Sequence, residues 1–472
     1  MLNSGAGCAK NGNHAGGQDT EEAEGVGKRA GEVTAARGVQ ARPPADAPAP
    51  AKATFAQVLA VGEFRALWLA MLLSVAGDQL ARVAMTVLVY DRTRSALLTA
   101  LTYALTYLPW IVGGLALSGL ADRLPRRQVM ITCDLARMVL VLLMVAVSFA
   151  NSAASLWTMV ALLFFVTLLD SPFKAARSAL VADILTGERY VIGTTLTQIT
   201  FQTGTVIGFA LGGVVVAALG TRTALVTDAA TFAVSALLLL LWVHRRPAAA
   251  PRDPGTRRPS PTAGMAAGLR LVFGDGTLRT LMLFGWLVTF YVVPMGLAAP
   301  YAAGFRGLPL AVGTGLIFAA LPFGTAVGTF VLGRVVSPAR RQHWMGVMAV
   351  GACAVLVLCW LRPGFAASIA IFMAAGAFAG YQLAANAAFV AAVPAERRGQ
   401  AFGLANGGMQ VFQGVWFIVA GAVAGALGSA TMIAISGVIG AVIAAMLAVR
   451  WRALVAARMA SGGQRSGPFE AH

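Results

Sequence analysis

Residues 399–449 read GQAFGLANGGMQVFQGVWFIVAGAVAGALGSATMIAISGVIGAVIAAMLAV, fifty-one positions without an Asp, Glu, Lys or Arg. As a helix rising about 1.5 Å per residue the run would be about 75 Å long, more than twice the roughly 30 Å of a bilayer's hydrocarbon core. Its large apolar side chains give way to small ones around Gly425–Ser429, so it divides into two membrane crossings. Similar uncharged runs occupy Ser95–Ala121, Met138–Leu169, Tyr190–Thr221, Thr280–Phe305, Gly307–Gly333, Gln342–Leu361 and Pro363–Ala395. The second of these breaks at Asn151-Ser152, and the apolar stretches 66–90 and 221–243 add two more spans. The resulting expectation is twelve: 66–90, 95–118, 128–149, 154–175, 192–218, 222–243, 279–302, 310–333, 343–361, 365–390, 401–425 and 430–449.

The composition agrees. Of 472 residues, 58% are hydrophobic and 12% charged, half the charge of an ordinary soluble domain. A chain this long with so little polar surface is neither a soluble enzyme nor a disordered polymer. Its four cysteines make no disulfide framework and no metal-ligand spacing. The net charge of +17 raises the question of nucleic acid, but residues 1–54 hold six bases and six acids, so the excess lies in the apolar body. There it forms short clusters between the runs, the pattern that orients a membrane protein, and no continuous basic face for a nucleic acid.

Lys and Arg accumulate on the cytoplasmic side of membrane proteins. With the N-terminus placed inside, the tails and inner loops hold 29 of them and the outer loops hold five: Arg92, Arg94, Arg222, Arg306 and Arg362. Both termini are therefore expected in the cytoplasm, and the chain in a bacterial cytoplasmic membrane. This count assigns Lys174, Arg177 and Arg189 to the inner loop after the fourth span.

Residues 1–54 lack an apolar run and read as a disordered cytoplasmic tail. Residues 244–277 carry five prolines and six arginines and then Met265–Phe273 at helical spacing, a basic linker ending in an amphipathic helix on the inner membrane surface. The linker separates a six-helix bundle over 55–243 from another over 278–450, with a cytoplasmic tail at 451–472. The halves resemble each other. Arg126-Arg127-Gln128 finds its counterpart in Arg340-Arg341-Gln342, and Ala179-Leu180-Val181-Ala182 in Ala388-Phe389-Val390-Ala391. Duplicated halves joined by a linker are the architecture of secondary transporters whose site lies between repeats near mid-membrane.

The loop Ser118-Gly119-Leu120-Ala121-Asp122-Arg123-Leu124-Pro125-Arg126-Arg127 resembles the signature loop between the second and third helices of the major facilitator superfamily, with Ser118 and Pro125 in place of two glycines. The resemblance implies an all-α membrane protein, twelve transmembrane helices as two pseudo-symmetric six-helix bundles, working by alternating access. It implies a gating role for Asp122, Arg123, Arg126 and Arg127, with Asp122 facing the start of the eleventh span near Gly399–Ala401. A carboxylate beside a helix N-terminus gains about 0.3–1 kcal/mol, weak enough to be released in each cycle. Gly77-Asp78-Gln79, Asp170-Ser171-Pro172 and Asp228 with Phe232 are similar to the exporter branch that includes the enterobactin exporter and macrolide-efflux proteins. Gly204, Gly208, Gly212 and Gly213 look like an antiporter glycine motif with Phe209 at the place of its proline. Equally, glycines at this spacing let helices pack closely.

Charges inside the bilayer are costly and normally paired or functional. Here they are Asp78, Arg82, Asp134, Arg137, Asp170 and Asp228, all in the first half. Depths counted at about 1.5 Å per residue put Asp78, Arg82 and Asp228 roughly 18–24 Å from the inner face, and Arg137 and Asp170 roughly 10–12 Å from it. Two clusters are expected: Asp78, Arg82 and Asp228 at mid-depth, and Asp134, Arg137 and Asp170 nearer the cytoplasm. A neighbouring arginine that moves can switch a buried carboxyl between protonated and ionised, which makes Asp78, one turn from Arg82, the leading proton carrier and Asp170 the second. The alternative is that both clusters are structural ion pairs.

The second half has no acid and no lysine within its spans. Substrate-cavity candidates are the aromatic face Tyr103, Tyr107 and Trp110, with Gln198, Gln202, Trp286, Tyr291, Gln382, Asn386, Asn406, Gln410 and Gln413. Stripes of this kind also serve as helix-packing contacts. No nucleophile–base set, cofactor motif, metal site or phosphate-binding loop appears, so the expectation is a gradient-driven transporter and no enzyme. Expected partners are a small amphipathic substrate, protons and the lipid bilayer. The chain is expected to export as a monomer, a metabolite importer or uncoupled carrier being the alternative.

Overall fold

A computed structural model describes residues 54–107, 124–150, 152–246, 261–394 and 397–463. Among them the regular structure is helical throughout. The helices are α1 (Phe55–Leu59), α2 (Gly62–Thr93), α3 (Ala96–Ala104), α4 (Arg126–Val147), α5 (Ala153–Ile184), α6 (Gly187–Trp242), α7 (Pro261–Gly274), α8 (Gly276–Gly296), α9 (Ala298–Ala302), α10 (Leu310–Val335), α11 (Arg340–Leu361), α12 (Phe365–Ala392), α13 (Arg398–Leu427) and α14 (Ser429–Gly463). Ten are long and apolar enough to cross a membrane.

Ten helices fall short of the expected twelve spans for two identifiable reasons. The 56 residues of α6 are two helices joined directly at Gly220, which stands at φ 84°, ψ 166°. That conformation is open to glycine alone and reverses the chain between the expected fifth and sixth spans. The expected second span starts with α3 and then passes into 108–123, outside the described residues. The fourth span continues as α5 to Ile184, with a turn at Leu169 just before Asp170-Ser171-Pro172. A proline cannot donate the hydrogen bond that would carry the helix through, so the break falls there.

Helices α2, α4, α5 and α6 pack on one another, as do α8 to α14. Among the described residues the two groups meet most extensively where α6 crosses α10 and α3 crosses α13. Both crossings are backbone on backbone. A Cβ on Gly213 would lie 2.6 Å from the Ala311 carbonyl oxygen, and one on Gly315 would lie 2.6 Å from the Phe209 carbonyl oxygen. A Cβ on Gly421 would lie 2.9 Å from the Leu97 Cα. Small residues at crossings let helices approach closely enough for dispersion contacts to hold them in a lipid solvent.

Polar contacts fasten the ends of the first half. Glu63 at the start of α2 accepts from the His244 backbone N–H (2.8 Å) and pairs with Arg246 (2.6 Å) just beyond α6. At the opposite end, Arg92 and Arg222 both donate to the Ser148 carbonyl at the end of α4, at 3.0 and 3.2 Å. Cations on the last carbonyls of a helix complement its dipole.

Candidate functional site

Two adjoining cavities lie within the first half, and Asp78, Arg82 and Asp170 line both. The smaller one, with about 30 Å³ of free volume, also has Arg137 and Asp228 in its wall, room for about two water molecules. The larger, about 150 Å³, adds Lys174, Arg177, Tyr103, Tyr107 and, from α8, Met295. The two charge clusters expected at different depths are thus one continuous group. Depth counting along each helix by itself misses this, because it says nothing of how α2, α4, α5 and α6 stand relative to one another.

Asp170 is the hub. Its Oδ1 accepts from Arg137 Nη2 at 2.8 Å and its Oδ2 from Lys174 Nζ at 2.5 Å. The Arg137 side chain is 1% exposed, and its guanidinium lies 5.1 Å from the Phe173 ring and 5.5 Å from the Phe232 ring. Aromatic faces attract a cation and shield it from apolar surroundings. Arg137 Nε and Nη1, and Asp228 Oδ1, are buried without a hydrogen-bond partner. Arg82 and Asp228 share the smaller cavity but form no ion pair among the described residues. Asp228 packs against α2: a Cβ on Gly77 would stand 2.5 Å from its Oδ1, so glycine is required beside Asp78. Asp134 lies outside this cavity wall, fully buried, and accepts a hydrogen bond from Ser235 Oγ at 2.6 Å.

Lys174 departs from expectation. The charge count assigns it to an inner loop, but α5 continues past it, and it lines the larger cavity and pairs with Asp170. The signal for this is in the sequence: Asp170 and Lys174 are four residues apart, the spacing at which opposite charges meet on a helix.

An aromatic cluster closes the cavities toward the end that bears the 93–96 and 427–429 turns. Phe209 of α6 stacks on Phe318 of α10 at 4.9 Å, and Phe318 stacks on Tyr103 at 5.4 Å. Tyr103 meets Phe417 of α13 edge-on at 5.0 Å, and Tyr107 meets the same ring at 5.6 Å. Counted along each helix, these rings lie about 12–16 Å from that end, while Asp78 and Asp170 lie about 23–26 Å from it. The charged group and the aromatic group therefore lie at different depths.

The model of the Major Facilitator Superfamily matches residues 67–361. The chain belongs to the major facilitator superfamily. It is a multi-pass membrane transporter and no enzyme. Enterobactin exporters are similar in sequence: that of Salmonella choleraesuis (strain SC-B67) is 28% identical over 313 residues, 65% of this chain and 72% of the exporter. That of Escherichia coli O1:K1 is 28% identical over 307 residues, 64% and 70%. Among solved structures, a bacterial homolog of the human lysosomal transporter Spinster, inward-facing and unoccupied, superposes with a TM-score of 0.66 at 17% identity, over 85% of this chain and 98% of that one. A bacterial homologue of the iron transporter ferroportin gives 0.63 at 13% identity, over 84% and 99%. These structures share the fold.

Within that fold the remaining candidates divide. Of the facilitator signature loop, Asp122 and Arg123 lie outside the described residues, as does Trp110. Arg126 pairs with Asp183 and donates to the Ala179 carbonyl near the end of α5. Arg127 donates to the Leu239 and Leu240 carbonyls at 3.0 and 2.5 Å, tying α4 to the last turn of α6. Gln382 Nε2 donates to the Tyr291 hydroxyl and the Gly285 carbonyl, each at 3.2 Å, and Trp286 Nε1 donates to the Ala405 carbonyl at 2.9 Å. Those three side chains hold α8 to α12 and α13. Gln202 donates to the Pro322 carbonyl across the α6–α10 crossing at 3.4 Å. Gln198 and Asn386 are exposed, and along α13 the series Asn406, Gln410, Gln413 passes from exposed through half-buried to buried.

Proposed function

We propose that this chain is a twelve-span secondary exporter of a small amphipathic molecule such as a siderophore, drug or secondary metabolite, driven by protons and working by alternating access. It would sit in the bacterial cytoplasmic membrane with both termini inside, a reading supported by the surplus of Lys and Arg in the tails and inner loops, which persists when Lys174 and Arg177 are set aside as cavity residues. Export rests on the likeness to enterobactin exporters, which are named for that direction. The observation that carries the coupling is that Asp78, Arg82 and Asp170 line two cavities at once.

One cavity is a small chamber of buried charge. The other is walled by aromatic rings and reaches Met295 of the second half. Substrate in the larger cavity would press on the same side chains whose charge balance decides whether Asp78 holds a proton. Asp170 is held by both Arg137 and Lys174, which leaves Asp78 and Asp228 as the less constrained carboxylates, and of these only Asp78 lines both cavities. The gradient from exposed Asn406 to buried Gln413 supports a cleft that opens toward the start of α13 in this state, opposite the aromatic closure. Asp122 would latch that side shut by docking at the α13 N-terminus when the transporter turns outward.

In inverted vesicles with an imposed pH gradient, wild type is expected to accumulate substrate and Asp78→Asn to lose the gradient-driven part while still exchanging substrate across the membrane. Full proton-driven accumulation by Asp78→Asn would remove this carboxylate from coupling. Accumulation in right-side-out vesicles instead would identify an importer.

A further inference from the structure

Helix α7 divides its surface three ways. Gly268 and Val272 are buried, and a Cβ on Gly268 would lie 2.8 Å from the Gln400 carbonyl oxygen in the first turn of α13. On another face, Ala267, Leu271 and Gly274 line a pocket of about 530 Å³ together with Arg270, Arg397 and Gln400. On the third, Leu269 and Phe273, one turn apart, are 42% and 44% exposed. Arg270 falls between the pocket face and this apolar face, as 100° per residue dictates.

The position of the helix says what it meets. Only Asp275 separates α7 from the membrane-crossing α8, so α7 lies at the level where α8 leaves the bilayer. An amphipathic helix at that level presents its apolar face to acyl chains and its arginines to head groups. The pocket is basic. Its single acid, Asp275, is engaged as the cap of α8, its Oδ1 accepting from the Thr277 and Leu278 backbone N–H groups at 2.6 and 3.2 Å. Arg450 adds positive charge beside the joint, its Nη2 3.8 Å from where a Cβ on Gly276 would stand.

We propose that the pocket between α7 and the start of α13 binds the phosphate head group of an anionic phospholipid, while Leu269 and Phe273 on another face seat the helix in the bilayer beside it. The site goes beyond transport itself: it joins the linker between the halves to the helix end at which the cytoplasmic side would close. Two arginines close to a phosphate, at about 1 kcal/mol each, correspond to about 25-fold in affinity.

The test uses the full chain in phosphatidylcholine nanodiscs, titrated with phosphatidylglycerol and read by thermal stability and by lipid retained in native mass spectrometry. Phosphatidylglycerol is expected to stabilise wild type, and the double variant Arg270→Ala/Arg397→Ala to need about 25-fold more of it for the same shift. Arg340→Ala, an exposed arginine outside the pocket, should behave as wild type. Equal response of the double variant, or no preference for phosphatidylglycerol over added phosphatidylcholine, would overturn the site. Full protection by inorganic phosphate alone would overturn its assignment to a lipid. Both variants replace exposed side chains, so their stability in pure phosphatidylcholine should match wild type and isolate the lipid effect.

Discussion

Arg137→Ala is expected to be among the most damaging single substitutions in the first half, costing about 3–5 kcal/mol of stability, the range for removing one partner of a buried ion pair. The guanidinium has three contacts to lose at once: the 2.8 Å bond to Asp170 and the faces of Phe173 and Phe232. Asp78, Asp170 and Asp228 share the same cavity wall, and truncation removes one of the few cations among them. Arg137→Lys should recover only part of the loss, because an ammonium keeps the charge but cannot spread a planar face between two rings. Removing the acid as well, as in Arg137→Met/Asp170→Leu, should return only part of the thermal stability, because Lys174 then loses its own 2.5 Å partner, and should not restore transport. The measurement is the melting temperature of purified protein in detergent, read beside efflux in cells. If Arg137→Ala melts with wild type, the pair is not holding the first half together.

Much of the fold is legible because a bilayer imposes a length rule on the chain. Runs such as Tyr190–Thr221 and Gly399–Val449 cannot be solvated as loops, and a helix is the way to satisfy their backbone within lipid. Helix α7 is legible from the spacing over Met265–Phe273. The site is less legible, because its geometry depends on pairings between distant segments. Depth counted along each helix keeps Asp170 with Arg137 but separates it from Asp78; the folded chain puts all three on one cavity wall. Likewise Tyr103 and Tyr107 read as an aromatic face, but their partners Phe318 and Phe417 come from the other half of the chain. Nothing local distinguishes them from Tyr291 and Trp286, which the structure engages in bonds that fasten α8.

Gly213→Val is expected to abolish transport by a different route, by preventing closure and not by loosening the fold. All the atoms nearest a Cβ at this position belong to the second half: the Ala311 oxygen at 2.6 Å, the Gly315 Cα at 3.1 Å and the Val312 Cα at 3.2 Å. They are backbone atoms and cannot rotate away, so α6 and α10 would have to separate. Forcing such a shift costs about 1–3 kcal/mol. Because the crossing joins the halves, that cost falls only on the conformation in which this end is shut, and shifts the equilibrium away from it by about 5- to 150-fold. Met295 lies just within the aromatic closure, bonded through its sulfur to the Tyr103 hydroxyl at 3.7 Å. Placed in a background with the native cysteines replaced by alanine, Met295→Cys should react slowly with a membrane-impermeant maleimide applied from outside the cell. Adding Gly213→Val should raise that rate by at least about fivefold while transport falls away, and Gly213→Ala should give an intermediate rate. An unchanged labelling rate with transport intact would mean that the α6–α10 crossing is not the seal, and the case for two halves that rock about a central cleft would lose its outer gate.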